Sequence, residues 1–357
     1  MQNVKNLSPF AALWLVMAPI VSYAHHSILN YDESTLVEIE GEVTNVYWGN
    51  PHIRIAVTST SETGLEVEWQ IEGGPVNTME RRGISRDSIL VGHNIQVSGI
   101  ASDRGDEKAM RPILIGLASG QNLIIDAEQA EIFGLLDDNA LPAGAVVNTE
   151  AVEAAIRDAH GIFRVWTNRG WINRYRDWGT TVHPLTASAK AAQEGWVQLE
   201  DDLALRCIQA GMPEAQLNPF PIEFIKQGDD IIMRIEEWEN VRTIHMGGNS
   251  DGQPTSPLGY SVGNWEGNTL VIRTNKINYP FFDDRGTPQT QAVVIVERYT
   301  LSEDETRLDW LATVTDPGTF TQPIEMPDLH WEWVPGEDLK TYACTPDTAG
   351  TPWGARR

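Results

Sequence analysis

His25 and His26 follow Ser22-Tyr23-Ala24, a stretch with small residues at its first and third positions. An export leader cut after Ala24 leaves His25 as the first residue of the mature chain. Its α-amine and its own Nδ1 then chelate one metal ion. A second imidazole completes a three-nitrogen, T-shaped site that suits copper. His26 is adjacent, and His52 supplies another ring from the start of the second candidate strand. The expected metal set is therefore His25, His26 and His52, with copper as the candidate cofactor. The competing reading is an ordinary polar N-terminus and a His52 that only caps a turn. One extra residue before His25 would turn the amine into an amide and abolish the chelate.

A second set of ionisable residues lies on otherwise apolar strands. Val293, Ile295, Glu297, Tyr299 and Leu301 alternate onto one face, with Val294, Val296 and Arg298 on the other. One of Glu297 or Arg298 must then point inward. Glu237 and His245 lie on neighbouring candidate strands. A carboxylate in an apolar, tryptophan-lined pocket has a raised pKa and can act as acid or base, so Glu237, His245, Glu297 and Arg298 are the candidate catalytic residues. The alternative is a structural Glu–Arg pair closing a barrel end. Trp238, Trp265, Trp310 and Trp331 are candidate ligand-lining residues, or plain core.

Other chemistry lacks its pattern. There is no HExxH, CxxC, Walker A or GxGxxG opening a helix. Asp201-Asp202, Asp229-Asp230 and Asp283-Asp284 sit in no calcium-loop pattern and read as solvated turns. Cys207 and Cys344 are the only cysteines, and export to an oxidising compartment favours a bridge between them over two buried thiols. Closing so long a loop is worth roughly 4–5 kcal/mol in the chain-entropy model.

The elements that must position these groups follow from composition and pattern. The 357 residues include 26 Lys plus Arg against 50 Asp plus Glu, a formal charge of −24. Nucleic acid and anionic membrane surfaces reward the opposite balance, so neither is an expected partner. Residues 1–24 read as a signal peptide: Lys5 is the only charge before Asp32, and Phe10–Val21 is apolar but far shorter than the roughly 20 residues of a bilayer span. The expected location is periplasmic, with no transmembrane segment after cleavage.

Residues 25–125 form the first expected domain. Strands over Leu36–Trp48, His52–Thr58 and Glu66–Glu72 precede a short helix over Val76–Gly83. Strands over Asn94–Ile100 and Arg111–Ala118 and a coda at Asn122–Ile125 follow. Three strands, a helix and two strands is the order of a five-stranded OB-like barrel, with Gly41 and Gly99 placed for tight coiling. Residues 126–160 read as an acidic connector ending in a helix over Thr149–His160, with Thr149 as its candidate N-cap. Residues 161–347 carry nine candidate strands: Ile162–Trp166, Ile222–Lys226, Ile231–Trp238, Val241–Met246, Tyr260–Trp265, Thr269–Lys276, Gln291–Leu301, Arg307–Asp316 and His330–Val334. Their short turns imply an antiparallel up-and-down barrel of the lipocalin type. Residues 348–357 are a tail. The fold class is mainly β.

Ala24-His25-His26-Ser27, Gly41-Glu42-Val43, Asn50-Pro51-His52, Trp69, Arg81-Arg82-Gly83 and Gly92 resemble an exported bacterial family of unknown function, the DUF6152 type, over residues 24–125. His93 departs from its pattern, where an acidic residue is expected. The second half resembles another uncharacterised exported bacterial group through Pro221-Ile222-Glu223-Phe224, Arg242-Thr243-Ile244, Met246, the run Gly263–Val271, Glu297-Arg298 and Asp316-Pro317. Neither resemblance implies an activity. Three functions therefore compete. One is an exported binding or accessory protein with a copper-capable first domain. Another is a cofactor-free lyase, isomerase or hydrolase acting on a small apolar molecule in the second barrel. The third is an interaction module that docks on an envelope protein.

Overall fold

The computed structural model describes residues 31–61, 63–102, 108–136, 148–167, 181–197, 201–218 and 220–344. The expected leader, His25, His26 and the tail lie outside these residues. Six strands and two helices make up the first unit and its flank: β1 (Tyr31–Tyr47), β2 (Arg54–Thr60), β3 (Glu66–Glu72), α1 (Val76–Arg81), β4 (Asn94–Ser102), β5 (Ala109–Leu117), β6 (Asn122–Ile124) and α2 (Ala127–Ile132).

β1 is 17 residues long and changes partners along its length. Leu36–Glu42 pair with β4, and Gly41–Tyr47 pair with β2. The switch falls at Gly41, where any Cβ would lie 2.3 Å from the Thr58 carbonyl oxygen. Gly99 meets the same constraint across β4 and β5, with a Cβ position 2.4 Å from the Arg111 oxygen beside a register shift. β3 then pairs in parallel with β5 at Gln70–Ala109 and Ile71–Met110, closing the ring β1-β2-β3-β5-β4. This is the expected OB-like order. The alternating inward residues Val43, Ile55, Val57, Ile71, Ile95, Val97 and Ile115 fill its interior, and Met79 of α1 joins them.

The acidic connector begins differently from expectation. α2, capped by the Asp126 side chain on Gln129 N–H at 3.1 Å, buries Ala130 against Ile100, Ile113 and Ile124. Its charges face solvent while its apolar side extends the first core. The helix expected at the end of the connector is α3 (Thr149–Asp158), and its cap is Asn148 rather than Thr149.

The second unit contains β7 (Val165–Trp166), α4 (Ala187–Glu194), β8 (Ile222–Gln227), β9 (Asp230–Ile235), β10 (Asn240–Met246), β11 (Tyr260–Glu266), β12 (Thr269–Asn275), β13 (Val294–Leu301), β14 (Arg307–Thr315), β15 (Ile324–Glu325) and β16 (Leu329–Glu332). The strands follow one another in sheet order from β7 to β14. Every pairing in that run is antiparallel except β10 with β11, which is parallel because residues 247–259 cross over instead of turning back. β16 pairs with the free side of β14, and Thr167 exchanges two backbone hydrogen bonds with Glu332 at 2.9 and 2.8 Å. That bridge joins the two ends of the curled sheet. One expected strand is shorter than its apolar run: Ile231–Trp238 ends at Ile235, since Trp238 and Glu239 take left-handed backbone angles in a turn.

After β16 the chain returns as a strap across both units. Cys344 is bridged to Cys207, with Cα atoms 5.9 Å apart, as the cysteine pair implied. The strap, α1 and the turn after β9 meet at Glu236, which is buried. Its carboxylate accepts from Asn77 Nδ2 at 2.9 Å, Lys340 N–H at 2.7 Å and Arg81 Nη1 at 2.6 Å, and it also takes Arg81 Nη2. Arg81 Nε donates to Glu337 Oε1 at 2.6 Å. Burial opposes the Arg81 charge, but Glu236 and then Glu337 outweigh it and hold the guanidinium above its usual range. Arg81→Met should leave Glu236 buried and uncompensated, at a cost of about 3–5 kcal/mol. Urea unfolding reads this directly. A loss below about 1 kcal/mol would mean the carboxylate is not held by that contact.

Candidate functional site

Alternation along β13 sends Glu297 inward and Arg298 outward, so the expectation that one of them points into the barrel holds for Glu297. Arg298 instead pairs with Glu266 at 2.7 Å on the outer surface. The partner of Glu297 is Arg242 of β10, which the sequence reading did not select. A signal for it was present: Arg242 alternates with Ile244 and Met246 on the apolar side of the strand. Arg242 Nη1 donates to Glu297 Oε1 at 3.1 Å, and Nη2 reaches Oε2. Nε donates to Ser261 Oγ at 2.8 Å, and Nη2 also to Thr274 Oγ1 at 2.5 Å. Glu297 further accepts from Tyr299 O–H at 3.2 Å and Trp310 Nε1 at 3.3 Å. Burial works against the Arg242 charge, yet the adjacent carboxylate raises its pKa overall. The Tyr299 phenol is pushed far up by burial and then by Glu297. This is a satisfied ion pair in a filled core.

The four tryptophans do not share one surroundings. Trp310 and Trp331 are fully buried and pack edge to face, ring centroids 6.3 Å apart. Trp265 sits at the outer end of β11 and is 43% exposed. Trp238 lies in the turn after β9 against Tyr342 of the strap, 4.9 Å between centroids. His245 is likewise away from Glu297. Its Nδ1 is 3.0 Å from Asp230 Oδ2, and its ring stacks on Tyr260 at 4.5 Å. The Met246 N–H and then His245 hold the Asp230 carboxyl below its ordinary value.

Glu237 belongs to a different group, beneath the strap. It is buried, accepts from Asn218 Nδ2, and lies in the field of Asp202. Burial pushes its pKa up to about 8; Asn218 opposes that shift and Asp202 adds to it. Glu214 is pushed well above its usual value by burial first, then by Asp284 and Asp202. Tyr279 hydrogen-bonds Glu214. Sequence reasoning missed Glu214, because a lone Glu beside Pro213 carries no periodic signal. Asp283, read as a solvated turn residue, is buried and accepts from Thr287 N–H at 3.0 Å, Thr287 O–H at 2.8 Å and Arg285 at 3.1 Å.

His52 lies in the loop between β1 and β2. Its Nδ1 is 3.1 Å from the Gly73 carbonyl oxygen and 3.9 Å from Glu72 Oε1. A carbonyl only accepts, so Nδ1 carries a hydrogen. Among the described residues, no three or more His, Cys, Asp or Glu gather as metal ligands. No described helix is long and apolar enough to cross a membrane.

Residues 13–111 match a protein family described as a family of unknown function (DUF6152). The match spans His25, His26 and His52 and runs through β4 into β5, leaving the second unit outside it. No curated protein matches the chain.

The buried acids make a pH prediction. Glu237 binds its proton more tightly folded than unfolded, so the folded state loses stability as pH rises from about 4.5 towards 8. Within that window the slope is about 1.4 kcal/mol per pH unit for one such group. Denaturant unfolding across pH 5–8.5 should show the decline, and Glu237→Gln should flatten it. An unchanged slope in the variant would place the titration elsewhere.

Proposed function

We propose that the protein is an exported binding or accessory protein that holds one copper ion at its mature N-terminus. Export rests on the leader pattern of residues 1–24. The observation that carries the copper reading is the hydrogen bond from His52 Nδ1 to the Gly73 carbonyl oxygen. Histidines that ligate metals characteristically donate their other ring N–H to a carbonyl or carboxylate, which fixes the ring and raises its basicity. The Gly73 carbonyl does this for His52.

His25 would supply its amine and Nδ1, and His52 or His26 the remaining ring. The amine has an ordinary pKa near 7.7–8, so metal must displace a proton and affinity falls with pH. The six residues from His25 to Asn30 reach at most about 20 Å from Tyr31, so closure on His52 also depends on the coil of β1. A copper ion there would supply Lewis-acid or redox capacity; the chain's part is to fix the ligands.

A second reading has one observation in its favour. Glu237 titrates near neutral pH, where acid–base catalysis is efficient. It sits under the strap rather than in a chamber suited to an apolar substrate, and the accessory reading is preferred for that reason.

Copper(II) titration followed by electron paramagnetic resonance tests the proposal on protein cut after Ala24. One equivalent should bind with a nitrogen-rich signature, weakening steeply between pH 7.5 and 5.5. An alanine inserted before His25 should weaken binding at least tenfold and leave the unfolding midpoint unchanged, and His52→Ala should weaken it less. Equal binding by the extended chain would overturn the site.

A further inference from the structure

His183 is held by a contact that only its uncharged form can make. Its residue is 8% exposed, and its ring stands edge to face against Phe282 and Phe320, with centroids 5.5 and 6.1 Å away. Nε2 lies 2.9 Å from Arg285 Nη2. A guanidinium only donates, so Nε2 must present a lone pair here. A second proton on the ring would leave two cations facing each other at hydrogen-bond distance. Burial, and then Arg285, holds the imidazole below its ordinary value, while Asp283 offsets this only in part.

The same contact belongs to a ring of polar bonds between one segment and one loop. Residues 183–196, which include α4, lie against residues 281–290, ahead of β13, and against residues 316–321, after β14. Arg285 also reaches Asp283 at 3.1 Å, and Asp283 accepts from the Thr287 hydroxyl at 2.8 Å. Thr287 Oγ1 in turn accepts from Gln193 Nε2 of α4 at 2.8 Å. The path therefore leaves the segment at His183 and returns to it at Gln193. Trp196 packs on Gly286, where a Cβ would fall 2.2 Å from its ring. At the other loop, Thr186 N–H donates to the Thr319 carbonyl and Thr321 N–H to the Pro184 carbonyl, both at 2.8 Å. The nearby charges are engaged elsewhere. Lys190 and Glu194 of α4 pair at 3.9 Å, Asp316 accepts from Thr290, Gly318 and Thr319, and Asp284 acts on Glu214. Among the described residues, Arg285 and Asp283 are the charges that act on the His183 ring.

We propose that His183 is an acid-operated latch, and that its protonation against Arg285 releases residues 183–196 from the two loops and uncovers Phe282 and Phe320. The released ring takes a proton with an ordinary pKa near 6.5, whereas the latched ring resists it. Opening therefore becomes easier as pH falls below about 6.5, by up to about tenfold per pH unit for one proton. The gain ends once the latched ring also protonates. Its sign is opposite to that of Glu237, whose titration strengthens the fold towards acid. The inference is independent of the copper site.

Hydrogen–deuterium exchange of the intact, disulfide-bonded chain between pH 7.5 and pH 5 tests it, with rates converted to protection factors. Amides of residues 185–196 and of Thr321 should lose about tenfold in protection between pH 7 and pH 5, while those of β12 and β13 keep theirs. His183→Gln keeps a neutral acceptor for Arg285 and should hold that protection constant across the range. The His183 ring, followed by NMR in the native chain, should titrate below about 6.5. If the glutamine variant fails to fold, that titration together with the native exchange profile still decides. Protection that does not fall in the native chain, an equal fall in His183→Gln, or a ring that titrates at or above about 6.5 would each overturn the latch.

Discussion

Arg242 and Glu297 put two full charges in the middle of a hydrophobic barrel, and the packing around them follows from that constraint. Neither charge is tolerable alone at such depth. Polar atoms therefore stand where the strand pattern calls for apolar side chains: Ser261 and Thr274 accept hydrogen bonds from Arg242, and Tyr299 and Trp310 donate to Glu297. Together they tie β10 through β14 in one register. Tyr299, Trp310 and Trp331 then occupy the space that a lipocalin-type barrel of this strand number can leave for a ligand. On the proposed reading the second barrel is a scaffold, and binding takes place at the N-terminus of the first unit.

The same physics recurs where the two units meet. Glu236 is a buried carboxylate on the barrel, and its partners come from α1 of the first unit and from the strap. The Cys207–Cys344 bridge anchors the strap end, beside the point where Asn50 of the first loop bridges to Cys344. Asn50 also accepts from the Val76 N–H at 2.9 Å and donates to Asn77 at 3.1 Å, so the loop that carries His52 is fixed by the same assembly. The geometry of that loop and the docking of the barrel are thus coupled through a few buried polar residues.

Much of this was legible in the chain. Period-two alternation located nearly every long strand, because each has one buried and one solvated face. Gly41 and Gly99 pointed to close backbone approach, and two lone cysteines behind an expected export leader implied their bridge. What escaped is long-range or depends on context. The β10–β11 parallel pair hides behind a glycine-rich crossover that reads as an ordinary loop. Glu297 stood out on its strand, but Arg242 lies 55 residues away in sequence and no local pattern joins them. The turn at Trp238 breaks an apolar run because both Glu236 and Glu237 are buried there, which no alternation rule anticipates. α2 was masked by its acidic composition, since only one side of that short helix is apolar.

The claim that the barrel is a filled scaffold is the one on which the rest turns. Titration of the oxidised protein with a fluorescent fatty-acid analogue, reading energy transfer from the buried tryptophans Trp310 and Trp331, tests it most directly. A filled interior predicts no saturable uptake, with only weak, non-competitive surface association. One-to-one uptake that unlabelled fatty acid displaces would contradict it, and would return the barrel interior, with Glu297 at its centre, to the position of binding site.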